Sequence, residues 1–375
     1  MTAPEAEAVV TREPSAMRTF WASIAAVAGK ESRWRMRGRR AFVVVTIYVA
    51  LMSLLVYAMY RIVYDSALQR AQFMSEGFGF PSEFVSGSVS AEIGQAIFGA
   101  ILVLQTVLTV MVAPALTAGA ISAEREKQTF ELLITTPVST LGLVVGKLIS
   151  SLAFLFLLIA ASVPLMSVVF AFGGLAPEDM VRAYVLLTAL AFGIGSIGLF
   201  MSALIKRTQI ATVLSYIIVL ILMFGTLALH TYLMASTREF EGNGFARTAR
   251  HHAPVALLWL NPLAADVDAV CTATPESYQF TCSYIALVTG RDFAGAGPIR
   301  PGQFQQFDTP RDALWPLSTA SFLILGVGLT LLATQLIAPS RRIRRQKPPA
   351  LPPDPRFDVG AIDPVPTERV SPGPA

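Results

Sequence analysis

Few residues in this chain have the type and spacing to do covalent chemistry. Gly142, Gly146 and Lys147 come nearest to a phosphate-binding loop, which needs G-x-x-x-x-G-K-[ST]. They have one residue too few between the glycines, and Leu148 stands where the hydroxyl should be. His251 and His252 are adjacent, so they do not share a helix face. There is no H-E-x-x-H pair and no Ser/His/Asp constellation, so neither a catalytic site nor a metal site is expected. Two cysteines exclude a disulfide scaffold and a four-cysteine zinc site. Cys271 and Cys282 are either two free thiols or a bridge closing about a dozen residues, worth roughly 3 kcal/mol by the chain-entropy model. What remains is mechanical. In ISAEREKQTFELLITTPVST (121–140), Glu124, Arg125, Glu126, Lys127, Gln128 and Glu131 lie in a helix-forming run that Thr135, Thr136 and Pro137 break. A short exposed amphipathic helix there could be gripped by a partner, or could be a plain solvated loop.

The elements that hold this segment are apolar. Of 375 residues, 54% are hydrophobic and only 14% charged, against about 25% charged in soluble domains. A net charge of +4 is too mild to propose nucleic acid. A bilayer core needs roughly 20 apolar residues at 1.5 Å each. Six stretches qualify: about 41–60, 93–121, 141–172, 183–205, 209–235 and 313–338. The second and third exceed one perpendicular crossing and are expected to tilt or to extend into the interface. Pro114 and Pro164 are expected to kink them. Gly193, Gly195, Gly198, Gly326 and Gly328 could allow close packing. Apart from Lys147, which could snorkel toward headgroups, these cores carry no charge. Proton- and sodium-driven carriers usually keep ionisable groups in the membrane, and none is expected here.

Basic residues set the orientation. Lys30, Arg33, Arg35, Arg37, Arg39 and Arg40 precede span one; Arg125 and Lys127 lie between spans two and three; Lys206 and Arg207 join spans four and five; Arg341, Arg342, Arg344, Arg345 and Lys347 follow span six. Six spans put all of them on one side, which the positive-inside rule makes cytoplasmic. The loops 62–92 and 236–312 are then expected to face outside, and both termini to lie on the cytoplasmic side of the cell membrane. No cleavable signal peptide is expected.

Residues 1–14 read as disordered. Met17, Phe20, Trp21, Ile24 and Ala28 share a helical face, and with WRMRGRR (34–40) they describe an interfacial amphipathic helix and basic anchor over 15–40. The six-span core is 41–338. In the loop 236–312, HHAPVALLWLNPLAADVDAV (251–270) is apolar enough to touch or re-enter the membrane. The tail 339–375 is basic and then proline-rich, with nine prolines in 348–375, and is expected to be disordered.

The stretch AEREKQTFELLITTPVSTLGLVVGKL resembles a signature of the membrane subunits of type-2 ABC exporters. The matching positions are Glu124, Arg125, Thr129, Glu131, Leu132, Leu133, Thr136, Pro137, Ser139, Gly146, Lys147 and Leu148. Gln128 departs from the pattern, which usually has glycine before that threonine. RMRGRRAF (35–42) and LLWLNPL (257–263) also resemble family members, and the likeness covers about 15–340. The resemblance implies an all-α integral membrane protein with six transmembrane helices. It implies an entry helix bearing Phe20, Trp21, Ile24, Arg35 and Arg37 and an external region before span six. It also implies a cytoplasmic coupling helix that docks on a separate ATPase, with Glu124, Arg125, Glu126, Thr129, Glu131, Thr136 and Pro137 as its contact residues. ATP and Mg would sit on that ATPase and none on this chain, and a second permease subunit, identical or not, would complete the path. The competing readings are a non-transporting scaffold with the same fold and a secondary carrier.

Overall fold

The computed structural model describes residues 39–78, 82–129, 139–173, 175–236, 254–273 and 314–337, with Ala25 and Gly29 in addition. The entry-helix residues Phe20, Trp21, Ile24, Arg35 and Arg37, the loop residues Glu131, Thr136 and Pro137, Cys282 and the two expected disordered ends lie outside them.

The described residues are helical and contain no strand. In chain order they form α1 (Arg39–Phe78), α2 (Ser82–Thr117), α3 (Ser122–Glu126), α4 (Thr140–Ala161), α5 (Val163–Phe172), α6 (Pro177–Leu204), α7 (Thr208–Leu220), a π-helical turn (Ile221–Gly225), α8 (Thr226–Ser236), a 3-10 turn (Val255–Leu258), α9 (Pro262–Ala273) and α10 (Leu314–Ile337). Six stretches are long and apolar enough to cross a membrane: Ala41–Ser66, Ile93–Glu126, Thr140–Phe172, Pro177–Leu204, Thr208–Leu233 and Leu314–Ile337. The fourth begins at Pro177, earlier than its apolar core, because Pro177 at the first turn and the Asp179 carboxylate, which accepts from the Ala176 amide at 3.1 Å, start the helix there.

Segment 62–92 corrects the sequence reading. It is not an open loop: α1 runs on to Phe78 and α2 starts at Ser82. Tyr60, at the end of the apolar run, meets Phe172 at 5.8 Å and stacks on Tyr64, one turn further along the same helix, at 5.6 Å. The two prolines act differently. α2 passes through Pro114, whereas the third span ends one helix at Ala161 and starts another at Val163, with Pro164 in the first turn of the second.

Span four is the hub. Most of it is buried, while spans one, five and six present apolar faces such as Phe42, Ile47, Leu54, Ile210, Val213, Ile217 and Ile324 to their surroundings. Glycine makes the hub possible, most tightly at two places. A methyl group at Gly198 would collide with the Thr117 hydroxyl of span two, and one at Gly326 with the Phe192 ring of span four. Gly328 has open space beside it. The main apolar cluster runs through the bundle, with Ile97, Ile101, Leu148, Leu152, Leu186 and Phe322 among its fully buried members, and a small second one gathers Leu258, Ala264 and Leu314.

Candidate functional site

The connection between spans two and three is bound to its own bundle by successive side chains. α2 ends at Thr117, and a turn at 118–121 leads into the five residues of α3. Ser202, near the end of span four, accepts from the Ile121 and Ser122 amides, both at 2.9 Å. Those amides would otherwise be unpaired at a helix start. Ser122 Oγ lies 3.0 Å from Ala118 O and 3.1 Å from Thr208 Oγ1.

The three charged residues that follow each reach a different span. Glu124 Oε1 lies 2.5 Å from Lys147 Nζ of span three. Arg125 Nη1 donates to Ala203 O at 2.7 Å, closing a carbonyl at the C-terminal end of span four where a cation also suits the helix dipole. Glu126 accepts from the Thr208 amide at 2.8 Å and from the Thr208 hydroxyl at 3.0 Å, a carboxylate cap on the first turn of span five. Lys147 is the correction here. It does not snorkel; its side chain is 3% exposed and paired with Glu124. Its four-carbon stem stays among the helices because a carboxylate is waiting there, which removes the need to reach headgroups.

Beyond Glu126 the chain turns outward. The Gln128 amide donates to Arg125 O at 3.2 Å and the Thr129 amide to Glu124 O at 3.1 Å. This is the double bond pattern of a Schellman end, whose turning residue sits in the left-handed region. Gln128 takes φ +57°, the one positive-φ position among described non-glycine residues. It is also the position where the family pattern has glycine. Glu126, Lys127, Gln128 and Thr129 are exposed. Of the sequence-predicted contact residues, then, Glu124 and Arg125 turn into the bundle, Glu126 reaches Thr208 at its edge, and Thr129 faces out. Sequence reasoning missed Ser202 and Thr208. Thr208 directly follows the basic pair Lys206–Arg207 and is a natural helix-starting residue, a signal that could have found it.

A second polar cluster lies toward the other end of the bundle, built by the connection before span six. Asn261 precedes Pro262, a helix-start pair, and its Oδ1 accepts from the Ala264 amide at 2.9 Å. Its Nδ2 donates to Met223 O at 2.7 Å and to Thr226 Oγ1 at 2.9 Å. The tip of α9 is therefore bolted to the π-helical turn of span five. Met223 lies about ten residues, or about 15 Å of helix, before the span's end at Leu233, so this connection does return between the spans. α9 packs against spans two, four and six and against that turn.

Its carboxylates correct the expectation of no ionisable group among the spans. Asp268 accepts from the Leu314 and Trp315 amides at 2.6 and 2.9 Å, capping span six from another helix. Asp266 is wholly buried, and neither oxygen makes a hydrogen bond. Burial pushes its carboxyl well above the ordinary carboxylate range, and the facing Thr106 hydroxyl offsets this in part. A twelve-residue helix is too short to register as a span, so its acids were counted with a solvent loop. Cys271, in the last turn of α9, is buried and disulfide-bonded. Among the described residues no group of three or more His, Cys, Asp or Glu could hold a metal.

Compared with known families, residues 25–336 match the family described as ABC-2 family transporter protein. No curated protein matches the chain.

Proposed function

This chain belongs to the ABC-2 transporter family, the membrane component of ABC transporters, and from that premise we propose that it is an exporter permease driven by a separate ATPase through residues 122–138. The basic ends of the spans face the cytoplasm, as positive-inside charge requires, and the protein sits in the cell membrane. Two permease subunits enclose the path, and ATP and Mg belong to the ATPase. The chain's own near-match to a phosphate loop, Gly142 to Leu148, opens span three and is helical from Thr140 onward; the Gly142 and Leu143 amides are taken by the Ser139 hydroxyl and carbonyl, at 3.1 and 3.0 Å, so no open phosphate loop is formed there.

One observation carries the reading. The segment 121–126 holds span three through Lys147, span four through Ser202 and Ala203, and span five through Thr208, and it continues span two. A displacement of this segment is shared by four spans at once. Glu124, Arg125 and Glu126 act as positioning residues that make the strut stiff. The surface offered to the ATPase starts at Lys127, Gln128 and Thr129. Alternating access then needs only that the ATPase states bind this surface differently.

The experiment is a charge exchange. In the permease–ATPase complex in vesicles, Glu124→Lys sets two cations against each other beside a buried site. It should cost about 3 kcal/mol of stability and uncouple ATP hydrolysis from transport. Glu124→Lys with Lys147→Glu restores an opposite pair and should recover coupling. Normal coupling in the single variant, or a double variant no better than the single, overturns the strut. Failure of the chain to co-purify with any ATPase overturns the wider reading.

A further inference from the structure

Asp266 is the one ionisable side chain among the described residues that is fully buried with neither oxygen hydrogen-bonded. Its neighbours explain why it stays unpaired. Span two faces α9 with Gly99, where a methyl group would sit 3.6 Å from Val270, and with Thr106, whose hydroxyl is buried and also unpartnered. Thr109, one turn further along span two, has a third buried and unpartnered oxygen. These groups supply oxygens and no cation.

Among the described residues, the other elements packed against α9 supply no cation to it. Span two from Ile93 to Thr117, span six and the π-helical turn contain no titratable side chain. Span four carries Glu178, Asp179, Arg182 and Tyr184. Arg182 pairs with Glu178 at 3.2 Å and with Asp179 at 3.1 Å and lies over the Trp315 ring, and Tyr184 bonds Ser162 at 3.0 Å. On α9 itself Asp268 is held by two amides, and Cys271 does not titrate. An ionised carboxyl so enclosed would be an uncompensated charge, costing several kcal/mol. A neutral acid avoids that cost.

We propose that the Asp266 carboxyl, packed against Thr106 of span two, is a proton-binding site that loads while α9 is seated among the spans and unloads when α9 moves toward water. In unloading, the carboxyl O–H bond breaks, the electron pair stays on Asp266 and the proton passes to water. The site requires neither the ATPase nor the cargo, so it stands or falls apart from the transport reading. By linkage, the folded state holds this proton in a pH range where the unfolded chain has lost it. Stability therefore falls as pH rises from the ordinary aspartate value toward the raised one.

The test is infrared titration of the full chain in lipid vesicles. At neutral pH a protonated-carboxyl C=O band should be present, absent from Asp266→Asn, displaced in Asp266→Glu, and lost on going alkaline. Thr106→Val removes a group that favours the ionised form and should move the midpoint to higher pH. Asn261→Ala unbolts the tip of α9 and should move it to lower pH. An identical band in the chain and in both Asp266 variants overturns the site. So does a band abolished by sodium but not by choline at fixed pH, which would make it a metal-cation site. A midpoint unchanged by Asn261→Ala overturns the link to seating.

Discussion

At Gln128 the chain accepts a conformation that side chains resist. The left-handed region costs a non-glycine residue roughly 1–2 kcal/mol, and the Schellman end formed by the Gln128 and Thr129 amides demands it. Gln128→Gly should therefore raise the unfolding free energy by about 1 kcal/mol, part of the gain being returned to the freer unfolded chain. Thermal unfolding of the purified protein checks this, and an unchanged or lowered midpoint refutes it. The position was legible in the sequence as a departure from the family's glycine, but its reason was not, because a residue name carries no φ. The same holds for the charged run beside it. Glu124, Arg125 and Glu126 stood out as a cluster, yet periodicity over five residues cannot say which face is buried. Their direction is fixed by groups far away in sequence: Lys147, Ala203 and Thr208.

Between elements, the decisive joint is α9 against span five. Asn261 caps its own helix with Oδ1 and docks with Nδ2, so two functions can be separated by chemistry. Asn261→Asp keeps an acceptor for the Ala264 amide but sets a carboxylate against the Met223 carbonyl. Asn261→Ala removes both functions. Alanine should cost about 2–3 kcal/mol, from a lost cap and an unsatisfied buried carbonyl. Aspartate should cost at least as much despite keeping the cap, if docking is the larger part. Unfolding of both variants in one detergent decides it, and near-wild-type aspartate would assign the effect to the cap alone. This joint also marks the limit of reading by hydropathy. The six spans were visible because about 20 apolar residues in a row mean little else. α9 spans only Pro262–Ala273 and carries Asp266 and Asp268, so its composition suggested contact with the membrane but not how deep it goes.

For the molecule as a whole, the bundle sorts its polar work by end. At one end lie Arg125, Lys127, Lys206 and Arg207 with the strut. Toward the other lie Arg182 with its two carboxylates, and α9 enters between the spans from that side. Six spans return the chain to the side on which it began, and the orientation proposed from positive-inside charge makes that side the cytoplasm. Gln128 and Ser236 are both exposed and lie at opposite ends of that arrangement, since span five separates Thr208, which touches the strut, from Ser236. A single cysteine placed at Gln128 should react with a membrane-impermeant thiol reagent in inside-out vesicles and not in intact cells. One placed at Ser236 should show the reverse. Adding the ATPase should then shield position 128 and leave position 236 as reactive as before, because the proposed driving contact starts where the strut turns outward. Labelling of both positions from one face would break the six-span arrangement. Shielding of neither would leave the strut with no partner to move it, and the proposed transmission would have to be abandoned even with the fold intact.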